Sequence, residues 1–194
     1  MAEVIKVNGK NAAVQVFEST RGLKNGDNVE FEDRMLEATL GPGLLSSSYD
    51  GLQNDLTTMT GVFLQKGEYT SPLNHEKLWD FTPIAKPGDK VVAADWLGEV
   101  KEGWLPHKIM VPFAFKGEYT VKSVVPAGQY NIDKVIAVLT NAEGEDVNVT
   151  MYQKWPVKVA IKGYKDKPRP SKIMETGVRA IDTLNPIAEG GTGF

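Results

Sequence analysis

Two stretches of this chain echo one another. KPGDKVVAADWLGEV (Lys86 to Val100) and VPAGQYNIDKVIAVL (Val125 to Leu139) each run from a Pro-Gly or Pro-Ala-Gly turn, through alternating apolar residues, to a closing aliphatic strand. A repeated unit of this size leaves one apolar face uncovered when it stands alone, so two copies are expected to pack together about an approximate two-fold axis. HKIMVP and GEYTVKSVV, between the two copies, read as another pair of strands. A last strand is expected from Val147 to Trp155, with Val147, Val149, Met151 and Trp155 on one face and Asn148, Thr150, Tyr152 and Lys154 on the other.

Upstream, Val4, Ile5 and Val7 precede Asn8-Gly9, and Ala12, Val14 and Val16 then recur at every second position. Asn-Gly tolerates the positive φ of a tight turn, which predicts an antiparallel hairpin. Lys24-Asn25-Gly26-Asp27 marks a second turn before an expected short strand, Val29 to Phe31. Two or three strands cannot close a barrel, so this segment (1–40) reads as part of a small β-barrel whose first strands are missing.

The connector 41–66 holds a Gly/Pro/Ser loop, Gly41 to Gly51, and then Leu52, Leu56, Met59 and Phe63 at helical spacing; a short helix is expected near Gly51 to Thr60. Further on, Lys154 to Lys172 carries seven Lys or Arg against one Asp, and prolines 156, 168 and 170 predict an extended basic linker. Val178, Ile181 and Leu184 predict a helix of about three turns ending at Pro186. The fold class is mainly β with one or two short helices.

Composition narrows function mostly by exclusion. With 41% hydrophobic and 24% charged residues the chain is too apolar to be disordered throughout, and a net charge of −3 gives no global positive field for nucleic acid. There is no cysteine, hence no thiol nucleophile and no Cys-based zinc site. The longest strictly apolar run, Val135 to Leu139, is far below the ~20 residues of a spanning helix, and the first residues lack the apolar core of a secretory signal. A cytoplasmic protein with no membrane insertion is expected.

No catalytic, metal-ligating or cofactor-binding residue is assigned. His75 and His107 have no metal-pair spacing and read as surface or hairpin residues. GPGLLS at Gly41 matches only the first half of a dinucleotide fingerprint, with Ser46 where the third glycine would stand. There is no G-x-S-x-G elbow, and Asp89, Asp95 and Glu99 sit where carboxylates end strands or solvate turns. A P-loop, G-x-x-x-x-G-K-[ST], is also absent: the last residues are Glu189-Gly190-Gly191-Thr192-Gly193-Phe194.

GPGLLSSSYDGLQNDL, HKIMVP followed by VPAG, and ETGVRAIDTLNPIAEGG together resemble the catalytic A subunit of the V/A-type rotary ATPases and ATP synthases, in its bacterial form, over nearly the whole chain. The resemblance implies that 1–40 belongs to an N-terminal β-barrel and 67–164 to the inserted bulge domain, a barrel-sandwich-hybrid-like module. It further implies that 165–194 leads into a nucleotide-binding domain whose P-loop would follow Gly190, Gly191 and Thr192. On this reading the chain is a truncated piece, expected to be inactive and to serve subunit interaction. Its implied partners are the B subunits of an A3B3 hexamer and the peripheral stalk. ATP or ADP and magnesium are implied for the parent, which would move protons or sodium ions from a soluble V1/A1 sector at the membrane. Gly193 and Phe194 depart from the family pattern.

Two other readings stand beside it. The two-fold echo with a central Lys108 resembles biotinyl and lipoyl carrier domains, although His107, Ile109, Met110, Val111 and Pro112 are unlike a carrier lysine's hairpin. Trp79, Trp96, Trp104 and Trp155 could instead stack on a carbohydrate or peptide.

The inserted module is expected to hold itself together, whereas the N-terminal hairpin and the tail from about Ser171 should be loosely held. In hydrogen exchange the amides of Val14, Val16 and Ile181 should therefore exchange faster than those of Val91 and Val138; equal protection would contradict this.

Overall fold

The Asn8-Gly9 signal yields the hairpin it predicts. In a computed structural model, which describes residues 1–45, 47–58, 69–162 and 169–191, β1 (Ala2–Asn8) turns through Gly9, φ +60°, into β2 (Asn11–Val16). The ladder runs from Ala2 opposite Val16 to Asn8 opposite Asn11, with an irregularity between Val4 and Lys6. These two strands form a sheet of their own and leave Val4, Ile5, Val7 and Val14 exposed. The Lys24–Asp27 turn also forms, closed by the Lys24 N–H on the Asp27 carboxylate at 2.8 Å. The strand expected over Val29 to Phe31 does not: the segment is irregular and Val29 and Phe31 are exposed, because among the described residues no strand lies alongside to complete a ladder.

In chain order there follow β3 (Glu37–Leu40), β4 (Trp79–Pro83), β5 (Lys90–Val91), β6 (Trp96–Glu102), β7 (Leu105–Met110), β8 (Tyr119–Val124) and β9 (Gly128–Tyr130). After these come β10 (Ala137–Thr140), β11 (Asp146–Val149), β12 (Gln153–Pro156), β13 (Ile173–Met174), α1 (Arg179–Leu184) and β14 (Ile187–Ala188). The chain divides into a unit Met1–Ile161 and a unit Lys162–Phe194. Among the described residues no helix is long and apolar enough to cross a membrane.

The echo in the sequence is an echo in space. One four-stranded sheet has the order β7-β6-β4-β9 and the other β11-β10-β8-β5, every pairing antiparallel. Each half supplies three strands to one sheet and a short fourth strand to the other: β5 crosses to β8, and β9 crosses to β4. The buried side chains also occur in matched pairs, Phe81 with Val121, Leu97 with Ile136, Val100 with Leu139, Ile109 with Val149 and Val111 with Met151. The bonds Ile84 N–H to Leu97 O, 3.0 Å, and Val125 N–H to Ile136 O, 2.9 Å, repeat the match in the backbone. All these residues belong to one apolar core, where each large side chain contributes roughly 1.5–3 kcal/mol by leaving water. HKIMVP and GEYTVKSVV do become strands, β7 and β8, but in different sheets.

Val147 to Trp155 is not one strand. β11 ends at Val149, Met151 turns into the core with its N–H on Ile132 O at 3.2 Å, and the chain leaves the sheet to pair β12 with β3, Gln153 opposite Leu40. The start of the expected basic linker, Lys154 to Pro156, therefore lies in a strand.

Nor is there a helix over Gly51 to Thr58, which forms turns; Met59 and Thr60 lie outside the described residues, as does Phe63. Asp50 Oδ1 accepts the N–H groups of Leu52 (2.9 Å) and Asn54 (2.7 Å), and Gln53 sits at φ +64°. Such local bonds compete with a helix for the same donors. Burial alone would raise the Asp50 pKa, but the bonds from the Asn54 side chain and from the Asn54 and Leu52 N–H groups outweigh it and hold the carboxyl below its ordinary range. The Gln53 amide then copies a strand neighbour, giving to Thr39 O and accepting from Thr39 N, both at 2.7 Å.

In the second unit β13 pairs with β14, and the Lys172–Glu189 ion pair spans 2.9 Å. Helix α1 covers six residues, shorter than the expected three turns. Asp182 folds back to accept from the N–H groups of Thr176 and Gly177, and Gly177 has φ +79°, so the chain before α1 is a turn; Pro186 stops it at the other end.

Gly98 on β6 is crowded by the neighbouring strand β4 of the same sheet: a Cβ there would run into the Phe81 ring and lie 2.9 Å from Thr82 O. Gly98→Ala should destabilise the protein by about 1–3 kcal/mol or more, read from chemical denaturation.

Candidate interaction surface

Strands β6 and β7 meet at a two-residue turn, Gly103-Trp104, between the paired Glu102 and Leu105. Gly103, φ +62°, takes the conformation that lets so short a loop follow the strand twist. Trp104 is consequently thrown outward and is 89% exposed.

Beneath it, Glu102 is only 6% exposed. Its Oε1 accepts the N–H groups of Gly43 (2.6 Å) and Leu45 (3.1 Å), and its Oε2 lies 2.7 Å from His107 Nδ1. A buried carboxylate is tolerable only when its lone pairs are occupied, and here backbone donors and a neighbouring imidazole occupy them. The bond network ties the loop after β3 to the hairpin. Beside it a hollow of about 400 Å³ is lined by Leu45, Lys77, Leu78, Trp79, Lys101 and Trp104, among others. Lys77 Nζ stands 4.0 Å from the centre of the Trp79 ring, close enough for a cation–π contact.

The residues weighed from the sequence scatter around this unit. His107 supports Glu102, as above. His75 has Nδ1 2.9 Å from Asp133 and Nε2 3.2 Å from Ser71 Oγ, an order that looks like a hydrolytic triad. The Ser71 hydroxyl, however, gives its proton to Leu73 O at 2.9 Å, so that proton is not aimed at the ring as a nucleophile's must be. The arrangement clasps two loops. Asp89 and Asp95 accept the N–H groups of Lys86 and Val92, each at 2.8 Å, and so serve turns. Lys108 does not sit at a hairpin tip; it stands in the β6–β7 ladder opposite Glu99, paired with that carboxylate and 4.9 Å from the Trp96 ring centre. The carrier geometry is not formed.

The four tryptophans do not make one platform. Trp79 is 5% exposed, Trp96 lies under Lys108, and Trp155 bonds Val159 O at 2.7 Å and meets Phe113 edge-on. Only Trp79 and Trp104 share the hollow. Gly190 has φ +77° and the Gly191 N–H bonds Ala188 O at 2.9 Å, while Thr192 lies outside the described residues. Among the described residues no three His, Asp or Glu side chains gather as metal ligands. The sequence likewise contains no P-loop string. Glu102, Lys77 and Lys101 escaped the reading of the sequence, where each looks like an ordinary strand-end or loop charge.

Comparison with known proteins places this architecture. Residues 70–158 match the barrel-sandwich domain of the ATP synthase alpha/beta subunits, and residues 1–33 match the β-barrel domain of the ATP synthase alpha/beta family. The chain belongs to the ATP synthase alpha/beta family. Within this family it is 47% identical to the V-type ATP synthase alpha chain of Borreliella burgdorferi (strain ZS7), 48% to that of Borrelia turicatae and 46% to that of Treponema denticola. Each alignment covers 98% of the chain but only 33–34% of the relative. The chain thus spans about a third of the length of the V-type relatives it matches. The two-fold unit described above is the family's barrel-sandwich domain, and the β1–β2 hairpin lies in its β-barrel segment.

Glu102→Ala should leave the Gly43 and Leu45 N–H groups without their acceptor and destabilise the protein by about 1–3 kcal/mol in all. Glu102→Gln, which keeps an acceptor, should recover much of that loss in the same denaturation experiment.

Proposed function

We propose that this chain is a scaffold and interaction segment of the catalytic A subunit of a V-type rotary ATP synthase. The parent would couple ATP synthesis or hydrolysis to proton or sodium translocation, using ATP or ADP and magnesium, from the cytoplasmic, membrane-peripheral V1/A1 sector. These residues would take no part in phosphoryl transfer. That chemistry rests on holding the transferring group with a P-loop, magnesium and a positioned base, and no described cluster here has that composition. Their partners would be the B subunits of the hexamer and the peripheral stalk.

The observation that carries this reading is the division between a closed core and a sticky tip. The barrel-sandwich unit completes its own interior from both halves, while an 89% exposed tryptophan projects from its β6–β7 turn. An exposed tryptophan is typical of residues that dominate protein–protein interfaces. Electrostatics agree with a protein partner: a chain of net charge −3 has no broad field to attract a polyanion.

Purified peripheral-stalk subunits should be retained by the immobilised protein, and calorimetry with magnesium ATP should be silent. Failure to retain any stalk subunit would refute the first half of the proposal; micromolar, magnesium-dependent uptake of the nucleotide would refute the second.

A further inference from the structure

Asparagine side chains in the turns of this chain are mostly spent on the turns themselves. Asn54 gives to Asp50 at 2.8 Å and accepts the Thr70 N–H at 3.0 Å. Asn74 accepts the N–H groups of Glu76 and Lys77, Asn131 that of Lys134, and Asn141 that of Glu145. An amide held in this way is kept from its own backbone. Asn25 stands in a turn without such a bond. Lys24-Asn25-Gly26-Asp27 is closed from its far end instead: the Asp27 carboxylate accepts the Lys24 N–H at 2.8 Å, and the Asp27 N–H returns to Lys24 O at 3.2 Å. Among the described residues neither the Asn25 side chain nor the Gly26 N–H has a hydrogen-bond partner, and both residues are exposed.

The residue after Asn25 is a glycine at φ +96°, and a Cβ added there would meet nothing within 4 Å. The Gly26 nitrogen therefore has no side chain of its own beside it and open space around it. The sequence holds one other Asn-Gly pair, Asn8-Gly9, and the fold treats it differently. Asn8 ends β1 and is paired with Asn11 across the β1–β2 ladder. For an asparagine to react with the next nitrogen its Cα–C bond must rotate until that nitrogen faces Cγ. At Asn8 this rotation breaks the end of a ladder, whereas at Asn25 it disturbs only a turn held by two local bonds.

We propose that Asn25 is a self-modifying site, which converts to aspartate and isoaspartate ahead of Asn8. The Gly26 nitrogen adds to Asn25 Cγ; a C–N bond forms there as the bond from Cγ to the side-chain nitrogen breaks, and ammonia leaves with the proton that Gly26 gives up. Water then opens the cyclic imide. Addition at Cγ restores the ordinary backbone with aspartate at 25, and addition at the backbone carbonyl leaves isoaspartate, with the chain running through Cγ. One water enters and one ammonia departs, with no oxidation or reduction. Either product adds a carboxylate two residues from Asp27 and takes the net charge from −3 to −3 − 1 = −4. Isoaspartate also adds a methylene to the backbone inside the turn that the 3.2 Å bond closes.

The test incubates the whole folded protein in mildly alkaline buffer and maps it by mass at intervals. A protease that cuts after glutamate separates Asn8, in the peptide between Glu3 and Glu18, from Asn25, in the peptide between Glu18 and Glu30. The Asn25 peptide should gain about 1 Da per converted residue, the exchange of an amide NH2 for OH. It should do so about tenfold faster than the Asn8 peptide, because the turn opens more often than the ladder. In concentrated urea, where neither turn nor ladder persists, the two rates should become equal. Enzymatic methylation of isoaspartate with a labelled methyl donor should mark the aged protein and be largely lost in Asn25→Gln, whose longer side chain closes the ring poorly. Asn8→Gln should leave most of the label. Equal rates at the two sites in the folded protein, or faster conversion at Asn8, overturn the assignment. So does an Asn25 that converts in urea but not in the folded chain, which would mean that the turn protects it.

Discussion

The reciprocal gift of one short strand by each half holds the larger unit together. β5 spans only two residues and β9 three, yet each completes the sheet built by the other half. Neither three-stranded half can be peeled away without breaking a ladder in both sheets. The hydrogen bonds at the crossing, Gly88 N–H to Val121 O and Val121 N–H to Asp89 O at 2.8 Å each, lie directly over the core that the two halves share. Backbone pairing and apolar burial are thus made in one step, as expected of a domain whose parts cannot be stable alone. Within the sheet β7-β6-β4-β9 the Phe81 ring of β4 lies across Gly98 of the neighbouring β6, a position with no room for a side chain.

On this frame many of the carboxylates and both histidines are employed in construction. Carboxylates close turns at Asp89 and Asp95, hold irregular loops at Asp50 and Asp182, and pin a loop to a hairpin at Glu102. His75 and His107 each lean on a carboxylate.

Much of this could be read from the residues, and the exceptions have physical causes. The paired motifs at Lys86 to Val100 and Val125 to Leu139 announced two equivalent halves because turn residues and strand periodicity are local properties. The exchange of β5 and β9 was invisible, since which sheet a two-residue strand joins is decided by distant neighbours. The 4-3-4 spacing of Leu52, Leu56, Met59 and Phe63 suggested a helix, but Asp50 and a positive φ at Gln53 settled the described part of that segment as turns. The strand expected to Trp155 broke at Met151 because its two ends serve different sheets. For the interaction surface, the tryptophans were noticed as a class; that Trp104 alone projects fully while Trp79 is sealed beneath depends on a turn type and a register that only the folded chain specifies.

The pairing of β3 with β12 sets Leu40 beside Gln153, so the intervening barrel-sandwich domain departs from and returns to the same spot. A module whose two ends are neighbours can be lengthened, exchanged or deleted in evolution while the host polypeptide closes over the gap with a short turn.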